Sequence, residues 1–128
     1  DDSWEYVESD PFWMARVADA TGAWSKGNRV VYSKGAFGGS YLRSNVVGGV
    51  YEASITASEF GLLAQRRTTN PSKVKVYIDG VLDTTVTFSG DISWRVPFYT
   101  KDFGSDGSHS FKLENVLKYG DIDALFWR

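Results

Sequence analysis

Cysteine is absent from this chain, and histidine occurs once, as His109. Without cysteine there can be no disulfide, no thiolate nucleophile and no Cys-ligated zinc. A single histidine leaves one candidate base for any Ser-His-Asp arrangement. No G-x-S-x-G elbow, P-loop, Gly-rich dinucleotide fingerprint, H-E-x-x-H or EF-hand loop occurs. Charge of one sign is also lacking. The 14 Lys and Arg against 16 Asp and Glu give a net charge of -2, which supplies no electrostatic footprint for nucleic acid. No basic amphipathic run points to a membrane surface, and no apolar stretch approaches the roughly 20 residues that span a bilayer. We therefore expect no nucleic-acid partner and no membrane insertion. No internal repeat, low-complexity tract or linker divides the 128 residues, which suits one domain spanning residues 1–128. The chain does not begin with Met and shows no signal peptide, so it reads as an excised domain or a mature fragment.

What is abundant is glycine and aromatic residues, 13 and 20 respectively, the latter being five Trp, seven Tyr and eight Phe. Glycines spaced between short apolar runs suggest many short strands. The clearest run sets Tyr51, Ala53, Ile55 and Ala57 against Glu52, Ser54, Thr56 and Ser58, a period of two with one apolar face. Val74, Val76 and Ile78 repeat the pattern and lead into Asp79-Gly80, a two-residue hairpin signal. Val86 and Phe88 then face inward on the return strand. Residues 95–100 form another expected strand, Asp106-Gly107 a second tight turn, and Phe111 and Leu113 the inner face of the next strand. The last strand spans residues 121–127, with Ile122, Ala124 and Phe126 on one face. Residues 58–67 could be a short helix capped by Ser58 or a strand over residues 60–65. Gly61 weakens the helix, so the strand is favoured. Residues 11–20 have helix-like apolar spacing and stay undecided. Consecutive strands with short turns predict an all-β, antiparallel two-sheet β-sandwich, a jelly roll.

Several stretches carry a resemblance. They are Gly22-Ala23-Trp24 followed by residues 38–45 (GGSYLRSN), the strand over residues 51–57, the run Lys73-Val74-Lys75-Val76-Tyr77-Ile78-Asp79-Gly80, and Asp106-Gly107-Ser108-His109-Ser110-Phe111 with Asp121-Ile122-Asp123-Ala124 closing the chain. In this order they resemble galactose-binding-like β-sandwich domains related to bacterial non-catalytic carbohydrate-binding modules. Residues 1–21 match poorly, as an N-terminal extension or first strand. The resemblance implies a module that binds a glycan, in proteins outside the cell or on the surface of a bacterial or phage particle. It also implies that no cofactor is required, although structural calcium near the last strand is possible.

The candidate ligand contacts are long planar donors and aromatics near strand ends. Gln65, Arg66, Arg67, Thr68, Thr69 and Asn70 form a polar run that reads as an exposed loop before Pro71. Arg forks and amides can pair with sugar hydroxyls or carboxylates. The bland alternative is a solvated loop. If Trp94, Val96 and Phe98 face the core, Arg95 and Tyr99 point outward. Tyr41 and Arg43 follow a Gly-Gly turn and also read as solvent-facing. The set is therefore Arg43, Gln65, Arg66, Arg67, Asn70, Arg95 and Tyr99. Trp24 and Trp127 read as core. Asp121 and Asp123 lie two apart on an expected strand, with Cα atoms about 7 Å apart. That spacing suits carboxylates that are solvated or hydrogen-bonded, that hold calcium, or that act as an inverting glycosidase pair. They are the weak metal candidates. His109 reads as structural.

These residues favour a glycan-binding module that is not an enzyme. The rivals are a structural or adhesion domain of a phage tail or surface assembly, with a protein partner or self-association through Trp4, Phe12 and Trp13, and a small glycosidase or esterase.

Overall fold

A computed structural model describes residues 16–128. The aromatics Trp4, Phe12 and Trp13, and the undecided stretch up to residue 15, lie outside the described residues. The described residues form nine strands: β1 (Arg16–Asp19), β2 (Asn28–Tyr32), β3 (Ser40–Ser44), β4 (Val50–Arg66), β5 (Ser72–Ile78), β6 (Val81–Phe88), β7 (Ser93–Asn115), β8 (Gly120–Ile122) and β9 (Ala124–Trp127). No α-helix occurs among the described residues. All strand pairs are antiparallel, in a large sheet ordered β1-β9-β4-β7-β5-β6 and a small one ordered β2-β3-β8.

The large sheet does not lie flat. Ala53 of β4 stands opposite Phe111, and Phe60 opposite Lys101. Seven residues of straight strand would separate Ala53 from Phe60 by about 23 Å. Yet the Phe60 and Phe111 rings meet with centroids 5.4 Å apart. The β4–β7 ribbon therefore folds back on itself, and its two halves belong to opposite layers of a β-sandwich. The bend sits at a register slip, where Ala57 pairs with Gly107 and Glu59 with Asp102, so residues 103–106 face Ser58 alone. Such bulges sharpen twist and turn corners.

This bend corrects the expected turn at Asp106-Gly107. There is no hairpin there, because residues 93–102 and residues 107–114 both pair with β4, one half each. Gly104, at φ 82°, takes the left-handed conformation at the bulge. The turn at Asp79-Gly80 forms as expected. Ile78 pairs with Val81 across it, and Asp79 and Gly80 both have positive φ, 50° and 82°, as the tight hairpin requires.

The core follows the alternation. Tyr51, Ile55, Ala57, Val74, Val76, Phe111 and Leu113 bury their side chains with Trp24, Leu42, Phe60, Leu62 and Ile122. Residues 60–65 are strand, as favoured, and Gly61 is buried for a packing reason. A Cβ there would come within 2.2 Å of the Phe126 ring. The last strand is corrected. It splits at Asp123, with β8 in the small sheet and β9 in the large one. Changing sheets resets the alternation, so Ile122 shares the main core with Leu125, while Ala124 and Phe126 pack on Leu63, Val17 and Phe37.

Candidate ligand-binding face on the small sheet

Along β3, Leu42 and Ser44 turn inward, which puts Tyr41 and Arg43 on the opposite face. Arg43 stands in register with Asp121 of β8. Its Nε donates to Asp121 Oδ1 at 2.9 Å, and its Nη2 donates to Asp121 Oδ2 at 3.3 Å and to the Tyr41 hydroxyl at 2.9 Å. Arg67, just past β4, donates from Nη1 to Asp121 Oδ2 at 2.7 Å and from Nε to the Asn70 carbonyl at 3.0 Å. Asp121 is wholly buried, and the side chains of Arg43 and Arg67 are 16% and 12% exposed. One carboxylate thus fastens two guanidinium groups far apart in the chain.

Aromatic rings complete the face. The Arg43 guanidinium lies 4.1 Å from the centroid of the half-buried Tyr119 ring, with Arg67 at 5.7 Å and Lys118 at 5.4 Å from the same ring. Tyr41 meets Trp94 of β7 with centroids 5.9 Å apart, and Trp94 rests against Gly35. Burial pushes the Tyr41 hydroxyl pKa up, and the Asp121 charge adds to the shift. Burial works against the Arg43 charge, but Asp121 outweighs it and holds Arg43 above the ordinary guanidinium value. Arg67 Nη2 is buried and has no hydrogen-bond acceptor among the described residues.

The expected contacts divide. Arg43, Arg67 and Asn70 come together here, and Arg95 joins through its neighbour Trp94. The expectation that Tyr41 and Arg43 face solvent is corrected: Tyr41 is buried beneath Trp94, and Arg43 is mostly covered by its partners. Gln65 lies within β4 and is buried, so the exposed loop begins later than expected. Arg66 turns away, its Nε donating to the Asp91 carbonyl at 3.0 Å. Tyr99 does not point outward. It is in the core, and its hydroxyl donates to Asp83 Oδ2 at 2.6 Å. A register slip between Leu62–Tyr99 and Leu63–Pro97 inserts Phe98 as an extra residue and reverses the alternation. Arg95 does not extend into solvent either. Its Nε donates to the Gly35 carbonyl at 2.9 Å and its Nη2 to the Ala36 carbonyl at 3.4 Å. Sequence reasoning missed Tyr119, which precedes Asp121 by two and shares its side of the chain. Trp94, which an unbroken alternation would turn to the core with Val96 and Phe98, is half-buried and outside the core cluster.

Asp121 and Asp123 separate in role. Both Asp121 oxygens are taken by arginines. Asp123 Oδ2 accepts the Phe37 backbone N–H at 2.9 Å, while its Oδ1 is buried without a partner among the described residues. Burial raises the Asp123 pKa to about 7; the Phe37 bond and Arg95 oppose this, and the Asp19 charge adds to it. Calcium takes six to eight oxygens. Among the described residues no group of three His, Cys, Asp or Glu gathers, so the side chains here do not by themselves make a calcium cage. His109 Nδ1 lies 2.7 Å from Asp79 Oδ2, and its ring stacks on Phe103 with centroids 3.6 Å apart. It braces the β5–β6 turn. A shallow depression of about 380 Å³ on the outer face of the large sheet, beside Glu52, Ser54, Ser110 and Lys112, offers hydroxyls and charged groups, and the one ring in its lining, Phe111, is buried.

The architecture is an antiparallel two-sheet β-sandwich, a fold it shares with several solved structures. A family 35 carbohydrate-binding module from an environmental isolate superposes with a TM-score of 0.57 at 17% identity, over 86% of this chain and 90% of that one. An exo-β-1,3-galactanase from Phanerochaete chrysosporium, in complex with β-1,3-galactotriose, superposes with a TM-score of 0.64 at 16% identity over 88% of this chain. A cycloisomaltooligosaccharide glucanotransferase from Paenibacillus sp., in complex with cycloisomaltoheptaose, gives 0.63 at 17% over 88%. The chain spans only 29% and 18% of those two enzymes. No family model and no curated relative matches the chain.

Proposed function

We propose that this domain is a non-catalytic carbohydrate-binding module, and that sugar docks on the face formed by Trp94, Tyr119, Arg43 and Arg67. The observation that carries the reading is the Arg43–Tyr119 stack, linked through Tyr41 to Trp94, with both arginines held by the buried Asp121. Aromatic faces pack on the apolar C–H faces of sugar rings, and a fixed guanidinium offers N–H groups to ring hydroxyls. The fold shared with a carbohydrate-binding module supports the same class. In this reading the domain works outside the cell or on the surface of a bacterial or phage particle, and raises the local concentration of whatever it is tethered to. No hydrolysis is assigned to it. Asp79 and Phe103 already engage the lone histidine.

The test is a glycan array, followed by titration of the best saccharide, with β-1,3-galactotriose and isomalto-oligosaccharides included. Trp94→Ala and Tyr119→Ala should each weaken binding by about tenfold. Wild-type affinity in both variants, for a saccharide the parent domain binds, would move the site off this face.

A further inference from the structure

Trp94 owes its place to a break in the ladder. Ala64 pairs with Val96 and Arg66 with Ser93, so Trp94 and Arg95 together face only Gln65. The bulge turns the two side chains to different tasks. The Trp94 indole lies on Gly35 and beside Tyr41. The Arg95 guanidinium holds the carbonyls of Gly35 and Ala36, the backbone on which that indole rests. Arg95 does this with φ at 57°, a left-handed conformation uncommon for a side-chain-bearing residue. Such strain persists where the surroundings dictate it, and it concentrates at binding sites.

Gly35 has no such backbone reason. Its φ is not in the left-handed range, so its conformation would accept a side chain. What excludes one is the indole: a Cβ on Gly35 would stand 2.4 Å from Cγ, Cδ1 and Cδ2 of Trp94. Gly35 is a seat shaped for that ring, and Arg95 clamps the seat from below.

We propose that Gly35 and Arg95 are positioning residues that fix the Trp94 indole in one pose before sugar arrives. The inference rests on the reading of the face given above. A ring already held loses less freedom on binding than one that must first be ordered, so the pose itself contributes affinity.

Two variants test it by different routes. Gly35→Ala fills the seat. Arg95→Gly removes the clamp and keeps a residue at ease with positive φ. Acrylamide quenching, taken as the difference between each protein and its Trp94→Phe counterpart, reads the pose of the indole without any sugar. Both variants should make Trp94 roughly twofold more quenchable and should weaken binding of the array-selected saccharide roughly three- to tenfold, while the melting temperature moves by only a few degrees. In a Trp94→Ala background neither variant should weaken binding further, because both act through that ring. Unchanged quenching in both variants overturns the proposal. So does an additive loss of affinity in the Trp94→Ala background. If quenching rises and the variants bind as wild type while Trp94→Ala does not, the positioning claim falls and the face stands. Wild-type binding by Trp94→Ala as well removes the face along with the claim.

Discussion

Asp121 offers a severe test, because its carboxylate is wholly buried and accepts from two arginines whose own side chains are 16% and 12% exposed. Replacing it with alanine removes the acceptor of Arg43 Nε and Nη2 and of Arg67 Nη1, at 2.9, 3.3 and 2.7 Å. Two guanidinium groups would then face each other with little water to screen them, and Arg67 Nη2 already lacks an acceptor among the described residues. Removing one partner of a buried ion pair costs about 3–5 kcal/mol, chiefly because the survivors stay charged and unpaired. At roughly 4 °C per kcal/mol for a chain of this size, the melting temperature should fall by roughly 12–20 °C. Asp121→Asn keeps the shape and one acceptor, and should fall between. Thermal and urea unfolding followed by circular dichroism would measure both, and a double-mutant cycle with Arg67→Met would isolate the coupling. A triple change to Arg43→Met, Asp121→Leu and Arg67→Met should recover most of the loss, since a well-packed apolar triad can replace a buried ionic one. A loss below about 1 kcal/mol for Asp121→Ala would place the net among weak surface pairs and refute the reasoning.

Tyr99→Phe keeps the ring in the core but removes the bond to Asp83, and should cost about 1.5 kcal/mol in urea unfolding. Asp123 has a folded-state pKa of about 7 against an ordinary 3.8, so between those values the native state holds a proton that the unfolded chain has released. Its contribution therefore falls as pH rises from about 4 to about 7, by at most about 1.4 kcal/mol per pH unit, and Asp123→Asn should flatten that slope in urea midpoints measured across the range. Gly61→Ala places a methyl against the Phe126 ring and should cost about 1–3 kcal/mol in thermal unfolding. An unchanged melting temperature there would mean that Phe126 has room to move.

The strands that could be found from residues alone are those whose partners lie close in the chain or whose alternation is unbroken. The β5–β6 hairpin is the simplest, because Asp79-Gly80 specifies its turn and Val74, Val76 and Val86 mark the inner face. The length of β4 and β7, 17 and 23 residues, is not a local property. Strands run to about five or six residues as a rule, so a Gly-rich stretch inside a long one looks like its end. That is why Asp106-Gly107 reads as a turn when it sits at a corner of a continuous ribbon. The candidate face was half legible for a related reason. Arg43 and Arg67 stand out as planar donors in any local window, but the carboxylate they share lies 78 and 54 residues away.

The residues misassigned by alternation share one cause. Tyr99 turns inward, against the alternation, because Phe98 is an extra residue in the ladder, and Trp94 leaves the face of Val96 because it lies in a second bulge, where two residues oppose one. Asp83 is skipped where Val76 pairs with Thr84 and Tyr77 with Leu82, and it turns to receive the Tyr99 hydroxyl and the Lys101 ammonium. A slip of one residue sends a side chain to the opposite face, so each bulge frees a residue from the role its neighbours impose. Regular pairing can supply a core and a polar outer face, but it does not turn the neighbouring Trp94 and Arg95 of one strand onto the same glycine of a distant turn. The failures of the period-two pattern in β6 and β7 are thus where Asp83 meets Tyr99 and where Trp94 reaches Gly35 and Tyr41, and consistent alternation elsewhere holds the frame that keeps them in position.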